Sequence, residues 1–179
     1  MLHLRLIGRH DRPDAATDPI GRTFFGWDPT ATPQQNWENN RGDWLLGAAA
    51  TRERYALFSY GGRVVLVAGI TGLESSPTRP GKKMLVGNPL QGGRVYEEYL
   101  GRGTPAAVPQ SRNPVGYFPS DVATWGCECG CGTQIRAGSF VTGHDQTALH
   151  ERVAQIGTVA EFIQWFDDVR RSGSKAAST

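Results

Sequence analysis

The chain has 179 residues, 39% hydrophobic and 9% aromatic, with a formal net charge of +2 and 3 cysteines. That length suits one medium domain with an appendage or two small ones, and no apolar run is long enough for a membrane-spanning helix. The small charge excludes a strongly basic nonspecific binder, but it is uneven: 14 Lys plus Arg oppose 10 Asp plus Glu in residues 1–118, against 5 and 7 thereafter.

Leu2 to Ile7 alternates apolar and polar residues and predicts a strand. The opening is too short and too alternating for a signal peptide, which points to a cytoplasmic protein with reduced thiols. Phe24 to Trp27 can start a second short strand, Thr30 to Arg41 reads as a long loop or irregular helical turn, and Trp44 to Ala50 is ambiguous. The strongest local signal is Glu53 to Tyr60 and Arg63 to Leu73, two β-rich runs joined by Gly61-Gly62. A two-residue glycine connection supplies the positive φ that primed hairpin turns require. Lys82 to Val86 predicts another strand, Arg94 to Leu100 a helical turn or strand, and Val115 to Phe118 a short strand. Short strands punctuated by Gly and Pro point to a small twisted barrel.

Helices are expected only near the C-terminus. Asp145, read as an N-cap, opens a helix to Ile156 with Leu149, Val153 and Ile156 on one face. Thr158-Val-Ala-Glu161 is a capping box. Val159, Phe162, Ile163, Phe166 and Val169 then form an apolar stripe expected to pack in a core. The expected class is α+β: a barrel over residues 1–118, a metal-stapled segment with two helices over 119–171, and a flexible tail over 172–179.

All three cysteines fall in Cys127-Glu-Cys129-Gly-Cys131, with His144 thirteen residues on. Alternate residues of an extended or turning strand can share one side, and flanking glycines let the backbone wrap an ion. Three thiolates and an imidazole complete a closed tetrahedral shell, so Cys127, Cys129, Cys131 and His144 are candidate ligands of a structural Zn2+. His150 competes as the fourth ligand. Free thiols in a loop, or a disulfide with one thiol left over, are the alternatives.

The segment from Phe24 to Tyr60 is dense in flat side chains, with three tryptophans within eighteen residues set among Asn, Gln, Asp and Arg. That pattern suits the walls of a pocket for a flat heterocycle, as extruded nucleobases are held between aromatic faces and read along one polar edge. Trp27, Trp37 and Trp44 would frame the base. Asp43, with Asn36, Asn39 and Asn40, would supply polar groups. Arg41, Arg52, Arg63, Lys82, Lys83 and Arg112 would meet phosphates. Barrel core is the competing role for Trp44, Tyr55 and Phe58. Phosphate-cradling, dinucleotide-binding, hydrolase-elbow and deaminase motifs are missing, so no enzymatic activity is expected.

The run Asn40-Arg41-Gly42-Asp43-Trp44, the Tyr55–Tyr60 and Val64–Ile70 hairpin and Lys82-Lys83-Met84-Leu85-Val86-Gly87 resemble the PUA-like superfamily, which includes EVE, ASCH, YTH and SRA domains. With Arg112-Asn113-Pro114-Val115 and the cysteine and Gly-His-Asp segments, the order is similar to small bacterial proteins linked to recognition of modified DNA. The resemblance implies a PUA-like barrel that takes 5-methylcytosine or a related base from double-stranded DNA into an aromatic cleft, as SRA domains do, without cleavage. An RNA-binding PUA-like protein, a zinc-stabilised protein-interaction adaptor and a small hydrolase or deaminase with an open metal position are the alternatives.

Overall fold

The computed structural model describes all residues except 13–17, 19, 78, 109–111, 137 and 177–179, and for 172–176 it describes the backbone alone. The chain is a mixed α+β protein with a five-stranded sheet and four helices. It divides into two units, Met1–Thr124 and Trp125–Thr179, a boundary six residues later than the composition suggests.

In the first unit, β1 (Leu2–Arg5) lies between β4 (Tyr55–Tyr60), to which it is parallel, and the edge strand β7 (Val115–Tyr117), to which it is antiparallel. Beyond β4 follow β5 (Arg63–Ser75) and β6 (Lys83–Pro89), giving the order β6-β5-β4-β1-β7. The β4–β5 hairpin turns at Gly61 and Gly62 with φ of 58° and 76°, the positive values its glycines suggest. A short ladder pairs β2 (His10–Asp11) with β3 (Phe24–Phe25). A 3-10 turn at Ala48–Arg52 resolves the ambiguous stretch, and α2 (Arg94–Tyr99) is helical.

Period-two alternation places apolar residues on both faces of this sheet. Leu2, Leu4, Ala56, Phe58, Ala68 and Leu85 pack on one side with Trp37. Met1, Leu57, Val67, Val95 and Phe118 pack on the other.

Within Thr30 to Arg41, expected as a loop or an irregular helical turn, Pro33–Asn40 is a regular helix, α1. Pro33 is preset for a first helical turn, and Thr32 and Gln35 form a reciprocal capping box. Trp37 on this helix is 2% exposed and meets Phe58 edge-on at 6.0 Å, so its indole is core and does not wall a pocket. The polar residues around it mislead: the side chain turns from them toward apolar partners distant in sequence.

Asn36, Asn39 and Asn40 of α1 are buried at spacings that share one helical face. Asn36 accepts from the Asp28 N–H at 3.1 Å and donates to the Asp28 carbonyl at 2.8 Å. Asn40 does the same with Gly26, at 2.8 and 2.9 Å. Asn39 accepts from the N–H groups of Thr23 and Phe24 at 3.1 and 3.2 Å. These side chains act as a backbone strand for an irregular loop, satisfying groups that would be costly to bury unpaired.

In the second unit, β8 (Trp125–Gly126) pairs with β9 (Gln134–Ile135), followed by α3 (His144–Ile156) and α4 (Val159–Ala176). The helix thus runs into the expected tail, whose last residues, 177–179, lie outside the described ones. Gly143, at φ 83°, is the N-cap of α3, so Asp145 sits in the first turn instead. The Thr158–Glu161 capping box forms as its sequence predicts. The apolar stripe does not enter a core. Val159, Ile163, Trp165, Phe166 and Val169 of α4 are exposed, as are Leu149 and Ile156 of α3, while Ala148 and Val153 are buried. Periodicity establishes that a helix is amphipathic and leaves open what covers its apolar face.

Replacing Asn36 with Ala strands the Asp28 N–H, while the Asp28 carbonyl keeps the Ala31 N–H as a donor at 3.3 Å. We expect a loss of about 1–3 kcal/mol in denaturant-induced unfolding, the cost of one buried unsatisfied group.

Candidate base pocket and metal centre

A solvent-reaching cavity of about 280 Å3 opens in the first unit where the end of β1 meets the loop held by α1. Its aromatic walls are Trp44 and Phe25, and Leu6 and Ile7 add apolar surface. Its charged lining is Arg5, Arg12, Arg22, Arg79 and Asp43. Trp44 is anchored at both ends of its side chain and backbone. Its indole N–H donates to the Asn40 carbonyl at 2.7 Å, and its backbone exchanges hydrogen bonds with Lys83 at 3.1 and 2.9 Å. Gly26 also lines the cavity; at φ 89° its backbone runs against the Gly8 carbonyl, and a Cβ there would collide with it.

Behind the cavity an ion-pair network fixes the guanidinium groups. Asp43 holds Arg22 at 2.9 Å and Arg79 at 3.0 Å, and accepts from the Ser76 hydroxyl at 3.2 Å. Asp18, with a fully buried side chain, holds Arg22 at 3.0 Å and Arg12 at 3.2 Å. Asp43 adopts a φ of 68°, alone in the positive range among the described non-glycine residues. This is a strained conformation that Asp tolerates better than most side chains, and the network holds it. Burial raises the Asp18 carboxyl, but hydrogen bonds from the Arg22 guanidinium and N–H outweigh it and bring the pKa down to about 2. The Thr30 hydroxyl and N–H, against burial and helped by Arg9, likewise bring Asp28 down to about 2.

Trp44 and Asp43, both expected at a base site, therefore lie together on one cavity. Trp27 is half-buried against the core cluster and is not part of the lining, and Trp37 is internal. Asp43 is spent on the arginines and the serine, so it orients donors more than it offers an acceptor.

The cations expected at phosphates lie elsewhere. Arg41 caps α1 and donates to the Leu85 carbonyl at 3.2 Å, and Arg63 donates to the Gly101 carbonyl at 2.7 Å. Arg52 and Arg112 are exposed, Lys82 and Lys83 are half-buried, and none of the six lines the cavity. The arginines that do come from separated segments, and no local motif marks them.

In the second unit, Cys127, Cys129, Cys131 and His144 bring one ligand atom each to within 4.8 Å of one another, an arrangement that could hold a metal ion. The Cys127 and Cys129 sulfurs are 3.3 Å apart, and Nδ1 of His144 lies 3.9 and 3.2 Å from them. A tetrahedral ion bound about 2.3 Å from sulfur and about 2.0 Å from nitrogen needs separations of about 3.8 and 3.6 Å, so small adjustments seat it. The β8–β9 turn presents the thiols: the Cys127 N–H donates to the Thr133 carbonyl at 2.9 Å, and the Val141 N–H points at the Cys127 sulfur at 3.3 Å. An N–H aimed at a ligand sulfur is the supporting contact that metal thiolates use. His144 is fixed as the first residue of α3, and His150, the competing ligand, is exposed on that helix outside the cluster.

No protein-family model, curated protein or solved structure matches this chain. Among the described residues no helix is long and apolar enough to cross a membrane.

Asp18 and Asp28 are more acidic in the folded chain than their ordinary value of 3.8. The stability they contribute is complete above that value and is lost as pH falls through about 2. Thermal melts from pH 7 to pH 2 should show a falling midpoint below about pH 4. Asp18→Asn should lower the midpoint at pH 7 and flatten the acid decline. For the metal centre, elemental analysis should find about one equivalent of metal. Cys129→Ser should deplete it and reduce the helical circular dichroism that α3 and α4 contribute.

Proposed function

We propose that this chain binds nucleic acid by receiving one extruded base in the cavity walled by Trp44 and Phe25. The observation that carries the reading is the combination of aromatic walls with a lining of four arginines and one aspartate around about 280 Å3. That volume is at the small end for ligand sites, which span about 300–1,000 Å3, and suits a single heterocycle better than a dinucleotide. An aromatic face supports stacking, guanidinium groups offer donors to a base's acceptor edge, and further arginine contacts can meet the flanking phosphates.

The preferred ligand is double-stranded DNA carrying 5-methylcytosine or a related base, and the protein is a PUA-like reader without catalysis. The mixed five-stranded sheet is compatible with that superfamily. Leu6 and Ile7 supply apolar surface on which a methyl group can rest. Burying one methyl is worth about 0.8 kcal/mol, so the preference over unmodified DNA is about fourfold. The arginines replace the sequence-suggested cations as the charged contacts, and Trp44 is the principal stacking face.

The metal is assigned as a structural Zn2+. Three sulfurs and one imidazole form its preferred closed donor set, and in residues 125–179 the buried apolar side chains among those described are Cys127, Ala148 and Val153. A module with so few gains its order from a staple. Thiols kept for a metal fit a reducing, cytoplasmic compartment.

A second reading has its own observation. The exposed Val159, Ile163, Trp165, Phe166 and Val169 of α4 suit an adaptor whose helical module docks another protein.

Gel shifts at low salt with methylated duplex, unmethylated duplex and single-stranded RNA separate these readings. We expect the methylated duplex to bind best and Trp44→Ala to weaken it by about 5- to 150-fold, the range for losing one base–aromatic stack. Preferential binding of the RNA would transfer the pocket to a modified RNA base. Absence of any nucleic-acid complex would leave the adaptor reading.

A further inference from the structure

The apolar residues of α4 recur at Val159, Phe162, Ile163, Phe166 and Val169, the spacing of a stripe along one side of a helix. Along this stripe and beside it, Val159, Ile163, Trp165, Phe166 and Val169 are between 45% and 61% exposed. The rings already touch one another: Phe162 lies 5.9 Å from Trp165 and stacks on Phe166 at 6.3 Å. Side chains ordered in advance lose little freedom when a partner covers them. Aromatic anchors are also the residues that dominate interfaces.

The charges bordering the stripe say what covers it. At about 100° per residue, Asp167 and Arg170 fall on the Ile163 side of the stripe and Trp165 on the other. Among the described residues no ion pair engages Asp167. Arg170 lies over the Phe166 ring at 5.8 Å. Asp168 and Arg171, on the far side, pair with each other at 3.7 Å. Glu161 is turned back to the Thr158 N–H. One rim of the stripe therefore carries both an acid and a base, and the rim at Trp165 carries neither.

We infer that α4 pairs antiparallel with α4 of a second copy of this chain, stripe against stripe. A two-fold axis perpendicular to the helices brings the same rim of each copy together, so Asp167 of each meets Arg170 of the other. A parallel pairing sets that rim against the Trp165 rim and leaves all four charges unmatched. With Phe166 opposite Val169 of the other copy, Asp167 and Arg170 across the interface differ by two residues along the axis. That is about 3 Å, within reach of an arginine side chain. A second copy supplies the matching charges by symmetry, which an unrelated protein does not. The inference rests on the exposed face of the second reading, names its partner as a second copy, and is independent of the base pocket. One pair of helices about 27 Å long is a small interface, so the dimer is concentration-dependent and micromolar rather than permanent.

The test is sedimentation equilibrium of the full chain from micromolar to millimolar concentration. We expect a reversible monomer–dimer equilibrium. Phe166→Glu should weaken it about thirtyfold or more, the loss of an aromatic hot spot, with metal content and helical circular dichroism retained. Trp44→Ala, confined to the base pocket, should leave it unchanged. Asp167→Arg and Arg170→Asp each place like charges on both facing rims and should weaken self-association several-fold. Mixing these two variants restores opposite charges, so native mass spectrometry should find more heterodimer than random mixing gives. A random mixture would overturn the antiparallel pairing, and so would a dimer that Phe166→Glu leaves intact. A chain that stays monomeric at every concentration overturns self-pairing and leaves the second reading standing with a different protein as partner.

Discussion

Hydrogen bonding by the asparagine face of α1 is the constraint on which the front of this molecule depends. Residues 23–32 have little regular structure beyond the two residues of β3 and a bridge at Trp27, so many of their backbone groups lack ladder partners. Asn36, Asn39 and Asn40 supply those partners from within the protein. An amide side chain carries a donor and an acceptor in one plane, as a peptide does, and can close a two-bond ring with one residue's N–H and carbonyl. Asn36 does so with Asp28 and Asn40 with Gly26. Trp37 anchors the same helix in the core, so the polar face is held at a fixed height above the sheet. The wall formed by Phe25 and Gly26 is therefore tied at Phe24 and Gly26 to the helix behind it.

From this wall the charged side of the cavity follows. Guanidinium groups repel one another when desolvated, and a pocket containing four of them is stable only with counter-charge close behind. Asp18 and Asp43 stand there, bridged through Arg22. The strained φ of Asp43 is the local consequence: its carboxylate must reach Arg22, Arg79 and Ser76 from a chain turn that would otherwise take a glycine. The result is a set of donors whose orientation is fixed before any ligand arrives. Preorganised donors lose less entropy on binding than flexible surface lysines do. Lys82 and Lys83, adjacent in sequence and conspicuous there, have no place in that arrangement.

What could be read from the chain follows the range of the interactions concerned. The Gly61-Gly62 hairpin, the Thr158 capping box and the Cys127–Cys131 cluster are encoded within a few residues, and the structure has all three. The helix α1 was legible too, in Pro33 and the Thr32–Gln35 box, but its three buried asparagines resemble a loop's composition. Trp37 reads as a pocket residue because its neighbours in sequence are polar, whereas its neighbours in space, Phe58 and the strand leucines, lie elsewhere. The cavity's arginines are spread from Arg5 to Arg79, and only the fold assembles them.

The two units reach order by different physical routes. The first has clusters on both faces of its sheet, and its polar groups are satisfied by side chains that mimic backbone. The second has a two-residue ladder, a pair of helices and little buried apolar surface. Its thiols are crowded, and their neighbours shift two of them in opposite directions. Hydrogen bonds from Thr133 pull Cys131 down to about 6. At Cys129 the backbone hydrogen bond from Cys131 acts downward, but the contact with Cys127 and burial prevail and push it up to about 11. Crowded thiols share protons unevenly because adjacent thiolates repel; a divalent cation removes that conflict and binds all of them at once. The apolar face of α4 adds little to that order, since Ile163, Trp165 and Phe166 are exposed.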